Sequence, residues 1–186
     1  MKRIVLAVAL ITSLAPLSQA TEFNQVQAEQ SRIGFSYTQM GVPMAGRFRT
    51  FSGQLSFDPA QPTNAKAAIA VDLASIDTGS PEADTEVAGK QWFNTPAFPT
   101  ARFESVSVKA LGDNRYEVSG TLTIKGKTQA IVVPASFTAQ GTTGVFDGGF
   151  TIRRGDFAIG EGSWSAFDIV ANDIQIKFKL TAKSGS

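Results

Sequence analysis

The chain is predicted to be all-β, an antiparallel barrel of about eight strands with one short helix. Two observations point to it. Apolar residues recur at every second position of short segments separated by turn signals. Glycines also sit inside those segments, at Gly46, Gly53, Gly120, Gly148 and Gly149. A sheet that bends sharply and closes on itself needs them there, whereas a flat sandwich is weakened by them.

The first segment is not part of the barrel. Lys2 and Arg3 precede an apolar run from Ile4 to Leu14, and Ser18-Gln19-Ala20 offers small residues at a cleavage position. This reads as a secretory signal peptide over 1–20, cut after Ala20, followed by a single domain over 21–186. The run falls short of the ~20 residues a spanning helix needs, so a soluble exported domain is expected.

Ile33, Phe35 and Tyr37 alternate with smaller residues in the first predicted strand. The next runs from Gly46 to Phe57; Phe48 lies on one parity and Phe51, Leu55 and Phe57 on the other, which predicts a bulge near Thr50. Ala67, Ile69, Val71 and Leu73 alternate again before the turn at Asp77-Thr78-Gly79. The helix follows over 80–89: Ser80 can cap, Pro81 suits the first helical position, and Glu82 and Asp84 complement the helix dipole. Residues 91–99 contain two prolines that forbid regular pairing, yet hold Trp92, Phe93 and Phe98. An apolar loop of that kind must pack over something. Strands resume over 102–108, 115–124, 128–137, 145–152 and 172–182, with Lys125-Gly126-Lys127 as a hairpin turn.

Composition narrows the function. The 186 residues include 14 Phe but only two Tyr and two Trp. Rings without a polar handle can line a dry cavity with no hydrogen-bond partner, although each can equally be ordinary core packing. The absence of cysteine and histidine excludes disulfides, a thiol nucleophile, the commonest metal ligand and the commonest neutral-pH base. Lys and Arg number 17 against 16 Asp and Glu. Two of the 17 lie in the leader, so the remaining domain carries one more acid than base. With no basic cluster, nucleic acid is not an expected partner.

Four motifs resemble catalytic or ion sites. Asp77-Thr78-Gly79-Ser80 spells an aspartic-protease signature, but two carboxylates must share a proton and no second copy occurs. A protease would therefore be a homodimer using Asp77 from each chain; a turn leading into a capped helix explains the same residues. Gly120 through Thr128 mimics a phosphate-binding loop, with the wrong spacing and a strand where a helix should follow. The acidic group Asp72, Asp77, Glu82, Asp84 and Glu86 lacks the spacing of a calcium loop. Arg153-Arg154 beside Asp156 fits a surface ion pair or an anionic headgroup.

In order along the chain, Ser31-Arg32-Ile33-Gly34-Phe35, Met40-Gly41, Gly46-Arg47-Phe48, Phe51-Ser52-Gly53, Phe57-Asp58-Pro59, Ser75-Ile76-Asp77-Thr78-Gly79, Phe98-Pro99-Thr100-Ala101-Arg102-Phe103-Glu104-Ser105 and Gly120-Thr121-Leu122-Thr123-Ile124-Lys125-Gly126 resemble the YceI-like family of exported lipid-binding proteins. The resemblance implies a lipocalin-like eight-stranded barrel with a helix over its mouth and a tunnel holding an isoprenoid chain, such as a polyprenyl phosphate or quinone tail. It implies a binding or carrier protein of the periplasm, not an enzyme. Some relatives are linked with membrane cytochromes of the b561 type, so an electron-transport partner or docking module is an expectation too. Where many relatives carry His before Met-Gly, and Arg and His on the helix, this chain has Gln39, Ala83 and Glu86.

The expected tunnel or lid residues are Phe35, Phe48, Phe51, Trp92, Phe93, Phe98, Phe103, Phe150 and Phe178, with Arg47, Arg102 and Arg154 as headgroup candidates. No catalytic residue, metal ligand or cofactor beyond the bound lipid is expected, and the protein is expected as a monomer or homodimer. Phase shows which residues share a face, not which face is inside.

Overall fold

Strands dominate the computed structural model, which describes residues 21–185; the predicted leader lies outside the described residues. The elements are β1 (Phe23–Val26), β2 (Arg32–Gln39), β3 (Val42–Phe48), β4 (Phe51–Ser56), β5 (Lys66–Asp72), β6 (Ile76–Asp77), α1 (Pro81–Ala88), β7 (Thr100–Gly112), β8 (Arg115–Ile124), β9 (Lys127–Gln140), β10 (Thr143–Arg153) and β11 (Asp173–Ser184). One antiparallel sheet runs in the order β4-β5-β7-β8-β9-β10-β11-β2-β3-β6. It curls so that β1, paired along β11, also meets the other side: Phe23 and Phe57 exchange backbone hydrogen bonds at 2.8 and 3.1 Å. Pairing of this kind satisfies the ladder groups that an edge would leave bare.

The all-β barrel with one helix is as expected; the strand inventory differs. Short β1 and β6 carry too few alternations to read from sequence. The predicted bulge at Thr50 is a corner between two strands: β3 pairs with β2 and β6, whereas β4 pairs with β5. The parity change between Phe48 and Phe51 therefore marks a change of neighbour. Two register shifts in β7, at Ser105/Ser107 and Ala110/Gly112, were not foreseen. The first leaves Val106 exposed and turns Val108 inward. The β8–β9 turn is the expected hairpin, with positive φ at Lys125 and Gly126, which removes the phosphate-loop reading.

The in-strand glycines make room for side chains of neighbouring strands. Gly46 faces the Phe35 ring across β2 and β3, Gly120 the Phe103 ring, and Gly148 the Phe178 ring. A Cβ at Gly148 would stand 2.6 Å from Phe178 Cζ and 2.5 Å from the Pro134 oxygen, and the latter is backbone that cannot swing away. Gly148→Ala is therefore expected to destabilise the fold by about 1–3 kcal/mol, the usual range for overpacking. Urea unfolding of parent and variant measures it, and equal midpoints would refute it.

The phenylalanines divide into two populations. Phe23, Phe57, Phe137 and Phe146 pack on one another with centroids 4.8–5.1 Å apart, joined by Tyr116 at 5.3 Å from Phe57. These rings fill one end of the barrel as solid core. Toward the other end the rings stand around open space.

Candidate functional site: a two-lobed apolar cavity

The inward parity of β2, β8, β10 and β11 encloses a cavity in two lobes. The inner lobe, about 190 Å³, is walled by side chains such as Ile33, Ile69, Leu122, Phe178 and Leu180, and abuts Phe57, Tyr116 and Phe146 of the aromatic plug. The outer lobe, about 440 Å³, extends under α1 and is walled by Phe35, Tyr37, Leu73, Trp92, Phe93, Val170 and Ile174. Both lobes touch Phe48, Val71, Ala101, Ile124, Ile152 and Ile176, so these six form a neck. The outer lobe alone falls within the roughly 300–1,000 Å³ typical of small-molecule sites. Burial pushes the hydroxyls of Tyr37 and Tyr116 up from their ordinary pKa, so they remain neutral.

A lid covers the outer lobe. Its first part is α1, capped where Ser80 Oγ accepts from the Ala83 amide at 3.3 Å. The chain then folds back: the amides of Phe93 and Thr95 donate to the Val87 and Ala88 oxygens, both at 3.0 Å. This ties the Trp92-Phe93 turn beneath the helix. The second part, residues 154–171, is fastened to the first: the Gly160 and Glu161 amides donate to the Gln91 oxygen at 2.9 and 2.7 Å. Trp164 Nε1 donates to Glu86 Oε1 at 2.8 Å. Trp92 packs against Trp164, 5.4 Å between centroids, and its buried Nε1 has no partner among the described residues.

Arg154 holds the second part of the lid. It is 1% exposed and turned inward, away from the Arg153–Asp156 surface ion pair. Its guanidinium donates to the carbonyl oxygens of Ile159, Gly160, Trp164, Ala166, Val170 and Ala171 at 2.8–3.3 Å. It also lies under the Trp92 and Phe167 rings, 5.6 and 4.8 Å from their centroids. Every nitrogen is engaged, which leaves no free donor for a headgroup. Burial pulls its pKa down.

The other candidates fall as follows. Phe103, Phe150 and Phe178 wall the inner lobe; Phe35, Trp92 and Phe93 wall the outer; Phe48 stands in the neck. Phe51 lies outside both linings, at the corner where β4 begins. Phe98 also lies outside, against Gly126 of the β8–β9 turn. Arg102 is exposed and borders the apolar inner lobe, not the outer one. Arg47 and Arg49 are exposed, and both bind Asp77 Oδ2 at 3.0 Å. The residues missed from the sequence include Tyr37, Ile174 and Ile176, which share a phase with Phe35 or Phe178, and Trp164 and Val170, which no periodicity marks.

Asp77 does not have the surroundings of a protease carboxylate. Arg49 and Arg47 both sit on its Oδ2 at 3.0 Å and, with the Gly79 amide on Oδ1 at 3.2 Å, hold its carboxyl below the usual range, so both oxygens that a dyad would use to share a proton are already engaged. A depressed carboxyl stabilises the fold above its unfolded pKa, and that contribution is lost as pH falls through the folded value. Asp77→Asn is thus expected to lower the melting temperature at neutral pH and to make the decline below about pH 4 shallower. Parallel melting curves across pH 2–7 for parent and variant would contradict this.

Residues 25–182 match the YceI-like domain. The chain belongs to the YceI-like family. Its relatives include an Azotobacter vinelandii UPF0312 protein, 30% identical over 169 residues, which cover 86% of this chain and 88% of that protein. Among solved structures, Burkholderia cenocepacia BcnA superposes with a TM-score of 0.84 at 40% identity, covering 86% of this chain and 100% of that one. A Saccharophagus degradans polyisoprenoid-binding domain superposes with a TM-score of 0.71 at 16% identity, covering 88% and 99%. The second likeness is one of fold. Among the described residues no helix is long and apolar enough to cross a membrane.

Proposed function

We propose that this YceI-like protein is an exported carrier of a long isoprenoid lipid of polyprenyl or quinone type, held without covalent chemistry. One observation carries the reading: a two-lobed cavity with predominantly apolar walls, whose outer lobe also has polar side chains in its lining, Gln39, Thr78, Ser80, Glu82 and Glu86 among them. Such a site suits a molecule with a long apolar tail and a small head. Burying a CH₂ contributes roughly 0.8 kcal/mol, so each five-carbon unit offers on the order of 3–4 kcal/mol before ordering costs. The fold shared with a polyisoprenoid-binding domain supports the same class of ligand.

Organic extraction of protein purified from its native envelope, followed by mass spectrometry, tests the proposal. A co-extracted isoprenoid is the expected result. An empty extract together with no uptake of added polyprenol or quinone would end it.

The carboxylates lining the outer lobe favour an uncharged head. Glu82 is held below the usual carboxylate range by its own backbone amide and the Ser80 hydroxyl, and Glu86 stands one turn along α1. The nearby arginines are engaged with Asp77 and with carbonyl oxygens. A polyprenol is expected to bind about tenfold more tightly than its phosphate ester, and Glu82→Gln should narrow the gap. Equal affinities in a competition assay would remove this selectivity.

A further inference from the structure

We propose that an apolar patch adjoining the outer lobe, formed by the β2–β3 hairpin tip and residues 165–170, docks on a lipid bilayer. This rests on the carrier reading and adds the surface through which the ligand enters and leaves. Among the described residues seven large hydrophobic side chains are exposed, and four of them gather here: Met40 at 76%, Val42 at 56%, Phe167 at 49% and Ile169 at 37%. The two segments are joined. The Met40 amide donates to the Ile169 oxygen at 2.7 Å, and the Ala171 amide to the Thr38 oxygen at 2.9 Å. Gln39, Val170 and Arg154, next to these residues in the chain or in space, line the outer lobe. The apolar patch is therefore continuous with the cavity wall.

The hairpin tip supplies an independent observation. Met40 and Gly41 both have positive φ, 48° and 80°, in a turn whose first position suits Asn or Asp. The chain instead holds a methionine there, strained and about three-quarters exposed. Strain retained at an exposed position points to a use for that side chain. Met40-Gly41-Val42-Pro43 carries no charge and is exposed throughout, and residues 163–172 carry only Asp168.

The bilayer is the occupant these features fit. Four side chains and a proline fall well short of the roughly 20 residues a side of a stable protein interface. They are sufficient for shallow insertion, about 5–10 Å, at the boundary of headgroups and acyl chains. In that position a tail slides from leaflet to cavity without crossing water, where every methylene would oppose the move.

The experiment compares two sources of ligand. Parent protein and the double variant Met40→Asp/Ile169→Asp are loaded with a long-chain polyprenol from phosphatidylcholine vesicles and, separately, from detergent micelles. Asp tolerates the positive φ at position 40, and neither residue lines the cavity. The expected result is a loss of about tenfold or more in the rate of loading from vesicles, with loading from micelles unchanged. Equal loss from both sources, or no loss from either, overturns the docking surface while leaving the carrier intact. So does a parent dimer that the double variant dissolves, since a second copy would then cover the patch. A parent that loads from neither source overturns the carrier reading, and the docking surface with it.

Discussion

Arg154→Ala is expected to lower the folding stability by about 3–5 kcal/mol, the range for removing one partner of a buried charged network. The buried guanidinium binds six carbonyl oxygens of one lid segment. Alanine would leave those oxygens facing one another and the apolar walls of the outer lobe. Each kcal/mol shifts the melting temperature of a domain this size by about 2–4 °C, so a fall of roughly 10 °C is expected. Arg154→Lys keeps the charge but offers three donors on one nitrogen in place of a five-donor fork, and is expected to recover less than about half of the loss. Differential scanning calorimetry on both variants decides it. A melting temperature for Arg154→Ala within experimental error of the parent would show that the lid does not depend on this side chain.

The second large effect concerns the neck. Ala101 of β7 is buried and touches both lobes, and a larger side chain there would close the passage between them. Ala101→Phe is expected to cost about 1–3 kcal/mol in stability through overpacking. Its effect on a long ligand is larger. Excluding even one five-carbon unit from the inner lobe removes on the order of 3–4 kcal/mol of gross burial, or roughly a few hundredfold in affinity. A ligand of two isoprene units, short enough for the outer lobe alone, should bind parent and variant alike. Titration of both ligands against both proteins tests this. Unchanged affinity for the long ligand would mean that the inner lobe is not part of the site.

Much of the wall was legible because a strand places alternate residues on one face. Ile33, Phe35 and Tyr37, then Ile174, Ile176, Phe178 and Leu180, all turn inward together. Phase failed where the ladder slips: the register shift at Ser105/Ser107 reverses the parity of β7, so Phe103 and Val108 face the same lobe from positions of opposite parity. It failed also where residues leave the ladder. Phe51 begins a strand at a corner and Phe98 covers a turn, and neither reaches the cavity wall.

Arginines illustrate a different limit. Arg153, Arg154 and Asp156 are near neighbours in sequence, yet Arg153 forms the surface pair while Arg154 is sealed inside. What separates them is strand alternation carried one residue past β10: Arg153 is extended, so Arg154 falls on the inward parity of Phe150 and Ile152, and the 3₁₀ turn that follows leads into the segment up to Ala171 whose carbonyl oxygens receive it.

From the sequence alone came the strand phases, the capped helix, the hairpin at Lys125-Gly126 and an interior of rings without polar handles, because periodicity, capping and turn chemistry act over a few residues. The three-dimensional packing alone determined which rings fill one another's gaps and which surround a void. It also determined that Arg154 closes a lid and that Met40 and Ile169 share a patch. Those outcomes depend on distances between residues far apart in the chain, and close packing at one end of a barrel with open space at the other has no local signature.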